Sequence, residues 1–241
     1  MGRFLLLHAF PFDSSLWDDV GAVLRETGHQ VLAPDLPGFG SAQLPAADPD
    51  IDCLVDAMLP VLGDEPAVVV GCSMGGYVAL GIARRRPDLV QALALVDTKA
   101  TSDAPAAQEG RERTAGLAET GADWSAGMIS GLLGETTRAR RPDAVRRVEG
   151  VLATAEPATV AWAQRAMAAR PDSRDVVAAM DVPVLVVMGE EDTMSPRSEQ
   201  ELILAEAKQG RLITIVESGH LSPIEAPAEV AAALLTLVIP R

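Results

Sequence analysis

A serine that stands between glycines is the first group in this sequence with a clear chemical use. Ser73 lies in Gly71-Cys72-Ser73-Met74-Gly75, directly after the apolar run Ala67–Val70 and before a helical pattern. G-x-S-x-G between a buried strand and a helix predicts a sharp, strained turn that lifts the serine hydroxyl clear of the sheet. The glycines leave room for the strand and the helix to meet. We interpret Ser73 as a nucleophile rather than part of a phosphate loop, because G-x-x-x-x-G-K is absent.

A serine hydroxyl reacts well only when a base takes its proton, and histidine is the usual base. The chain has three histidines. His8 ends the first predicted strand, and His29 lies in a surface turn before the second. His220 lies in the loop that follows the last predicted strand, so it can reach the end of the strand that carries Ser73. We therefore predict that His220 is the base.

The base needs a carboxylate that orients the imidazole and stabilises its charged form. Glu190, Glu191 and Asp192 follow the fifth apolar run. Asp192 is our choice, because it lies furthest from the strand end and a turn-like Thr-Met-Ser-Pro sequence follows it. Asp97, at the end of the fourth run, is the rival candidate, with a purely structural role as its alternative. The chain order is then serine, aspartate, histidine.

Attack on a carbonyl leaves negative charge on its oxygen, which two backbone N–H groups usually bind. Losing one such donor costs about 3 kcal/mol. We assign one donor to Met74, the residue after the nucleophile. The other is assigned to Phe10, in the loop after the first strand, where Pro11 fixes the backbone and has no N–H of its own.

The elements that must position these groups are short, continuous apolar runs, which are typical of strands buried on both faces. Helical patterns separate most of them, so we predict an α/β fold with a parallel sheet and helices on both faces. The carboxyl ends of such strands gather the functional groups. The predicted strands are Phe4–Leu7, Val31–Ala33, Ala67–Val70, Leu93–Val96, Val184–Met188 and Leu212–Val216.

Residues 99–180 contain no convincing strand and interrupt this alternation. We predict a core of residues 1–98 and 181–241, with 99–180 inserted as a helical cap over the site rather than as a surface bundle. Helix candidates in the insertion are Ala106–Glu119, Trp124–Leu133, Pro142–Ala155 and Pro157–Ala169. Candidate substrate-pocket residues are Phe10, Phe12, Met74, Trp124, Met128, Ile129, Leu132, Leu133, Trp162 and Leu221.

Composition excludes several classes of protein. Apolar residues make up 48% of the 241 residues, which indicates a globular chain, and no apolar run approaches the ~20 residues that span a bilayer. The net charge of −14 disfavours nucleic acid and anionic membranes as partners. The two cysteines lack metal or disulfide spacing. We expect a cytoplasmic protein without metal or cofactor, and the sequence does not indicate its oligomeric state.

Five segments together resemble the α/β-hydrolase superfamily over nearly the whole chain: LLLHAFPFDSSLW, APDLPGFGSA, GCSMGG, GEEDTMSP and SGHLSPIEAP. The cap and the strand after it most resemble small bacterial 3-oxoadipate enol-lactonases and carboxylesterases. The resemblance implies the strand order 2-1-3-4-5-6, in a sheet of about six strands that lacks the family's usual first two. Ala9 stands where the family usually has glycine in the oxyanion loop.

These residues indicate a serine hydrolase that cleaves a small ester or lactone through an acyl-enzyme on Ser73, a carboxylesterase or lactonase of class EC 3.1. A C–C bond hydrolase, a cofactor-free perhydrolase or a lyase of the same fold would use the same triad. A non-enzymatic binding protein is less favoured, since no triad member is missing. An inward-facing arginine of the cap would indicate a carboxylate-bearing substrate; candidates are Arg138, Arg140, Arg141, Arg165 and Arg170.

Overall fold

A computed structural model of the protein describes residues 1–238 and contains one six-stranded sheet. All neighbouring strands are parallel, in the order β2-β1-β3-β4-β5-β6. Both the α/β fold and the expected strand order are confirmed. The strands are β1 (Arg3–Leu7), β2 (Gln30–Leu32), β3 (Ala67–Cys72), β4 (Val90–Val96), β5 (Val184–Gly189) and β6 (Gly210–Ile215).

Helices connect the strands and cover the sheet on both faces. Those outside the β4–β5 connection are α1 (Asp18–Glu26), α2 (Ile51–Leu62), α3 (Met74–Arg85), α10 (Arg197–Glu206), α11 (Ser222–Glu225) and α12 (Pro227–Leu235). The β4–β5 connection contains α4 (Pro105–Glu119), α5 (Met128–Leu132), α6 (Glu135–Arg140), α7 (Pro142–Thr154), α8 (Pro157–Ala169) and α9 (Arg174–Ala179). Short 3₁₀ turns cover Ser14–Trp17 and Pro87–Leu89.

The central strands are buried on both faces, as their continuous apolar sequences predict. In β1, Leu5 and Leu7 point into the cluster on one side of the sheet, whereas Phe4 and Leu6 point into the cluster on the other. Side chains alternate along a strand, so a strand between two helical layers needs an apolar residue at every position. The sheet is therefore a rigid support that holds the strand ends in fixed positions.

The edge strand β6 departs from the prediction. It begins earlier than the predicted Leu212–Val216, and most of its residues are not buried. Val216, predicted to end the strand, lies outside it with 67% of its surface exposed. β6 lies at the edge of the sheet and pairs with β5 alone. Its residues are therefore less enclosed than those of the central strands, although the sequence is apolar in part.

Residues 99–180, all of which the structure describes, form helices and loops. Three predicted helices match α4, α7 and α8 closely. The predicted helix Trp124–Leu133 is mostly wrong, because Gly127 has a left-handed backbone with φ of 76° and only Met128–Leu132 is helical. The short helices α6 and α9 were not predicted. The division into core and cap stays a prediction.

None of the helices within residues 1–238 combines the length and the apolar character that crossing a membrane requires.

The start of α3 lies against the backbone of neighbouring strands. A Cβ atom on Gly75 would stand 2.1 Å from the carbonyl oxygen of Leu7 in β1. A Cβ on Gly71 would stand 2.2 Å from the carbonyl oxygen of Gly75. Backbone atoms cannot move aside as a flexible side chain does, so these positions exclude any side chain.

We expect Gly75→Ala to lower the free energy of unfolding by more than about 2 kcal/mol, because the methyl group would force β1 and α3 apart. Gly150→Ala is the matched control, since Gly150 lies within α7 and a Cβ there would meet nothing within 4 Å. That control should leave stability unchanged or raise it by up to about 1 kcal/mol. Chemical denaturation measures both, and equal stability of the two variants would contradict the close approach.

Candidate active site

Ser73 occupies the turn between β3 and α3 with a strained backbone. Its φ of 50° and ψ of −113° lie outside the regions that ordinary residues prefer. The neighbouring strand holds this turn on both sides: Ser73 N donates to Val96 O at 3.0 Å, and Thr98 Oγ1 donates to Ser73 O at 2.7 Å. The half-buried hydroxyl therefore has a fixed position above the sheet.

His220, from the loop after β6, lies beside this hydroxyl. The Ser73 Oγ to His220 Nε2 distance is 2.8 Å, although 147 positions separate the two residues in the chain. His220 is 4% exposed, so its ring is enclosed except where it meets the serine. The structure thus brings together the two residues that the sequence singled out as nucleophile and base.

Asp192, from the loop after β5, contacts the other nitrogen of the ring. His220 Nδ1 lies 2.9 Å from Asp192 Oδ2. The carboxylate also accepts hydrogen bonds from Met194 N at 2.8 Å and Ser195 N at 3.1 Å, which fix its orientation. An ionised carboxylate only accepts hydrogen bonds, so Nδ1 carries the proton and Nε2 is free to accept the proton of Ser73.

The electrostatics of this pair favour a charged imidazolium. Burial alone lowers the pKa of His220, but attraction to Asp192 and their hydrogen bond outweigh it, and the net pKa lies above the ordinary 6.5. Burial raises the pKa of Asp192, yet His220 and the hydrogen bonds from His220 and Ser195 outweigh this and lower its pKa to about 2. Asp192 is therefore ionised at neutral pH, as an orienting acid must be.

Asp97, the rival acid, lies nearby but does not contact the imidazole. Its Oδ1 accepts from Gly189 N at 2.8 Å, and its Oδ2 accepts from Ser222 N at 3.0 Å and Ser222 Oγ at 2.6 Å. Burial and repulsion from Asp192 raise the pKa of Asp97 above its ordinary value, although attraction to His220 and the hydrogen bonds from Ser222 and Gly189 oppose this shift. Its contacts connect the end of β4 to the loops that carry Asp192 and His220.

Of the two predicted oxyanion donors, Met74 follows Ser73 in the chain, and Phe10 lines the same cavity as Ser73. Within the described chain, neither Phe10 N nor Met74 N donates a hydrogen bond to another residue, so both remain available to a ligand. The Phe10 loop is held by His8, whose Nε2 accepts from Leu36 N at 2.9 Å and whose Nδ1 donates to Ala9 O at 3.0 Å. Burial lowers the pKa of His8 to about 4, so this ring is neutral and structural.

Ser73 and His220 open into a cavity of about 450 Å³. The helices α4, α5 and α8 form its roof, through residues that include Thr114, Met128 and Gln164. Phe10 and Tyr77 contribute to the side nearer the sheet. A cavity of this size fits a small organic molecule and leaves no room for a large one.

The predicted pocket residues divide into two groups. Phe10, Met128 and Leu132 line the cavity. Phe12, Trp162 and Leu221 do not, which corrects their assignment as pocket residues: all three are buried in the two apolar clusters beside the sheet. Trp162 also donates its indole N–H to Ala47 O at 3.0 Å.

The remaining candidates also lie off the wall. Trp124 packs behind Phe10, with 6.0 Å between ring centroids, and is absent from the cavity wall itself. Met74, Ile129 and Leu133 do not line it either. An apolar stripe at helical spacing fits both a core and a wall, so the sequence did not separate the two roles.

Two positioning residues were missed from the sequence. Ser195 Oγ hydrogen-bonds to Asp192 Oδ2 and lies 3.4 Å from His220 Nδ1. Glu225 is buried and accepts hydrogen bonds from Gly219 N, Leu221 N and Gly134 N, at 2.9, 3.2 and 2.9 Å. Both lie in the segments that carry Asp192 and His220, but short spacing alone does not show which polar residue turns inward.

The part of the chain that the structure describes contains no group of three or more His, Cys, Asp or Glu side chains arranged to hold a metal ion.

Comparison with known proteins gives the family. The model of the "Alpha/beta hydrolase family" matches residues 4–233. A pimeloyl-[acyl-carrier protein] methyl ester esterase of Neisseria meningitidis is 31% identical over 251 residues, covering 95% of this chain and 90% of the relative. A malate-bound thermophilic esterase from Thermogutta terrifontis is 33% identical with a TM-score of 0.92, covering 99% of this chain and 89% of that one.

A more distant likeness concerns the fold alone. The enol-lactonase of Burkholderia xenovorans has a TM-score of 0.88 at 22% identity, covering 98% of this chain and 91% of that one. Since the family model spans nearly all of the described residues, the chain belongs to the alpha/beta hydrolase family.

Proposed function

We propose that this chain is a serine carboxylesterase, in which Ser73, His220 and Asp192 hydrolyse a small ester through an acyl-enzyme. The observation that carries the proposal is the 2.8 Å contact between Ser73 Oγ and His220 Nε2 at the wall of the cavity. The relatives named as esterases cover more than nine-tenths of this chain, which supports ester cleavage as the reaction.

In the first half of the reaction, Ser73 Oγ attacks the ester carbonyl while His220 Nε2 takes the hydroxyl proton. The carbonyl oxygen becomes an anion that Phe10 N and Met74 N stabilise. His220 then gives the proton to the departing alkoxide, so the carbon–oxygen bond breaks and an alcohol leaves. The acyl group remains on Ser73, and the imidazole is neutral again.

In the second half, water replaces the alcohol. His220 takes a proton from the water, the hydroxide attacks the acyl carbon, and the proton returns to Ser73 Oγ as the acid leaves. Asp192 stays ionised throughout and stabilises the imidazolium that forms twice in each cycle. We propose that α4, α5 and α8 act as the cap, since they form the roof under which the acyl group would lie.

We expect Ser73→Ala to reduce hydrolysis of p-nitrophenyl acetate by at least about 10⁴-fold, because the nucleophile is lost. Labelling of the protein by a fluorophosphonate probe should disappear as well. Ser198→Ala is the matched control, since Ser198 is an exposed serine on α10 away from the cavity. Full activity in a folded Ser73→Ala variant would refute the mechanism.

Asp192→Asn and Asp97→Asn separate the two acid candidates. Asp192→Asn should lower kcat by about 10⁴-fold, because an amide holds the imidazole in the wrong tautomer. Asp97→Asn should lower kcat by no more than about 100-fold, which is at least a hundredfold smaller loss than in Asp192→Asn. It should instead reduce the melting temperature, because an amide NH₂ would face the backbone donors of Gly189 or Ser222. The opposite ranking of the two kcat values would move the catalytic role to Asp97.

The pH dependence of kcat/KM follows from the raised pKa of His220. The base works only when neutral, so activity should fall as pH decreases through that pKa. We expect the midpoint of this acidic limb above 6.5 in the wild type. In Asp192→Asn the attraction that raises the pKa is lost, and the midpoint of the residual activity should move to lower pH. A wild-type midpoint below 6.5, or no movement in the variant, would count against the pairing.

A further inference from the structure

The cavity next to Ser73 carries positive charge in a protein whose net charge is −14. Apart from the base His220, three side chains on its wall are ionisable at neutral pH: Lys99, Arg111 and Asp103. Two are cationic and one is anionic. A wall with an excess of positive charge favours an anionic ligand over a neutral one of the same shape.

Arg111 extends from α4 and is only partly neutralised. Its Nε pairs with Asp103 Oδ2, while Nη1 makes long contacts of 3.3 Å to Gln164 Oε1 and Met167 Sδ. Asp103 is shared with a second guanidinium, because its other oxygen accepts from Arg170 Nη2 at 2.8 Å. One carboxylate therefore serves two arginines, and Arg111, which lines the cavity, has no acceptor for Nη2 among the described residues.

Arg170 is the inward-facing arginine among those that the sequence singled out, but it lies behind the cavity wall. It is 5% exposed and stacks on the Tyr77 ring with its guanidinium carbon 4.0 Å from the ring centroid. Glu199, which also acts electrostatically on Arg170, does not line the cavity and accepts from Thr101 Oγ1 at 2.7 Å. Neither Asp103 nor Glu199 forms an ion pair with Lys99, the other cation on the cavity wall.

Lys99, three residues after β4, is half-buried on the same wall. Within residues 1–238, no carboxylate lies within 4.0 Å of its ammonium group and no residue accepts a hydrogen bond from it. The chain's other lysine, Lys208, is more typical: it is exposed and pairs with Asp181 at 2.7 Å. A partly desolvated ammonium group without a protein acceptor requires water or an anion to complete its hydrogen bonds.

Lys99 also lies close enough to His220 to act on it electrostatically, in the direction that lowers the pKa of the imidazole. Lys99 and Ser73 line the same cavity, and Lys99 also lines a smaller pocket whose wall includes Asp50 and Asp52. Apolar side chains of Met128, Leu132 and Met167 line the cavity next to Ser73. A ligand that joins an ester to a charged end through a short methylene chain would match this combination of surfaces.

We propose that Lys99 and Arg111 form a subsite for a substrate carboxylate, so that the enzyme prefers monoesters of short dicarboxylic acids to neutral esters. This inference rests on the proposed esterase function. Water adds across the acyl carbon–oxygen bond of the monoester, which releases the alcohol, the dicarboxylate and one proton. The carboxylate bound by Lys99 and Arg111 takes no part in bond making.

The test compares monomethyl adipate with methyl 6-methylheptanoate, in which an isopropyl group replaces the carboxylate at nearly the same size. Methanol release gives kcat/KM for each ester, and the ratio of the two measures preference for the anion. Lys99→Met should lower this ratio about tenfold, as expected for the loss of one charge-assisted hydrogen bond. Lys208→Met is the matched control and should leave the ratio within twofold of the wild type.

A second measurement does not depend on turnover of these esters. Adipate should slow fluorophosphonate labelling of Ser73, and the concentration that gives half-protection should rise about tenfold in Lys99→Met but not in Lys208→Met. Lys99→Gln provides a polar second variant if the methionine lowers the melting temperature. Added salt should weaken protection in the wild type, because ions screen a partly exposed charge.

The outcomes separate the two proposals. The carboxylate subsite would be overturned if Lys99→Met hydrolysed both esters with the wild-type ratio of kcat/KM values, or if adipate did not slow labelling of Ser73. Either result would leave the esterase function intact. A folded protein that hydrolyses neither ester nor p-nitrophenyl acetate, and whose Ser73 does not react with the probe, would overturn the esterase function itself.

Discussion

The site depends on one steric constraint, the contact between the first turn of α3 and the backbone of β1. Gly75 permits that contact, since any Cβ there would overlap the carbonyl oxygen of Leu7. Next to this contact the backbone of Ser73 has positive φ, a conformation that costs roughly 1–3 kcal/mol. Two hydrogen bonds offset that cost and hold the hydroxyl in place: Ser73 N donates to Val96 O at the end of β4, and Thr98 Oγ1 donates to Ser73 O.

Two buried acidic side chains position the loops that carry the other two members of the proposed triad. The carboxylate of Asp97 joins the end of β4 to Gly189 and Ser222, and that of Glu225 joins the histidine loop to Gly134, which lies between α5 and α6. Each accepts at least three hydrogen bonds, so both of its oxygens have partners in the interior. Fixing the loops in this way orients Asp192 and His220 without apolar packing around the reacting atoms, which must remain open to substrate.

The sequence predicted the parallel sheet and the triad candidates because each leaves a local or periodic signal, whereas the strand order was implied by the resemblance to a known family. The turn around Ser73 requires glycines at set positions, and β1 is apolar at every residue. The sequence did not predict the roles of Lys99 and Arg111, because one charge among many on a helix or loop has no periodicity. It also placed Phe12 and Leu221 on the pocket wall, since burial against the sheet and contact with substrate select the same residue types. Whether such a residue contacts the sheet or the cavity depends on the path of the backbone, which residue type does not reveal.

The location of His220 after the edge strand β6 determines the order in which the residues of the site are synthesised. The loop follows β6, whose one neighbour in the sheet is β5, and β5 in turn pairs with β4. Ser73 is synthesised 147 residues before His220, so the proposed nucleophile has no base while β4, the helices that follow it, β5 and β6 are made. On the proposed mechanism, Ser73 therefore becomes a nucleophile only after β6 and the loop that follows it are in place.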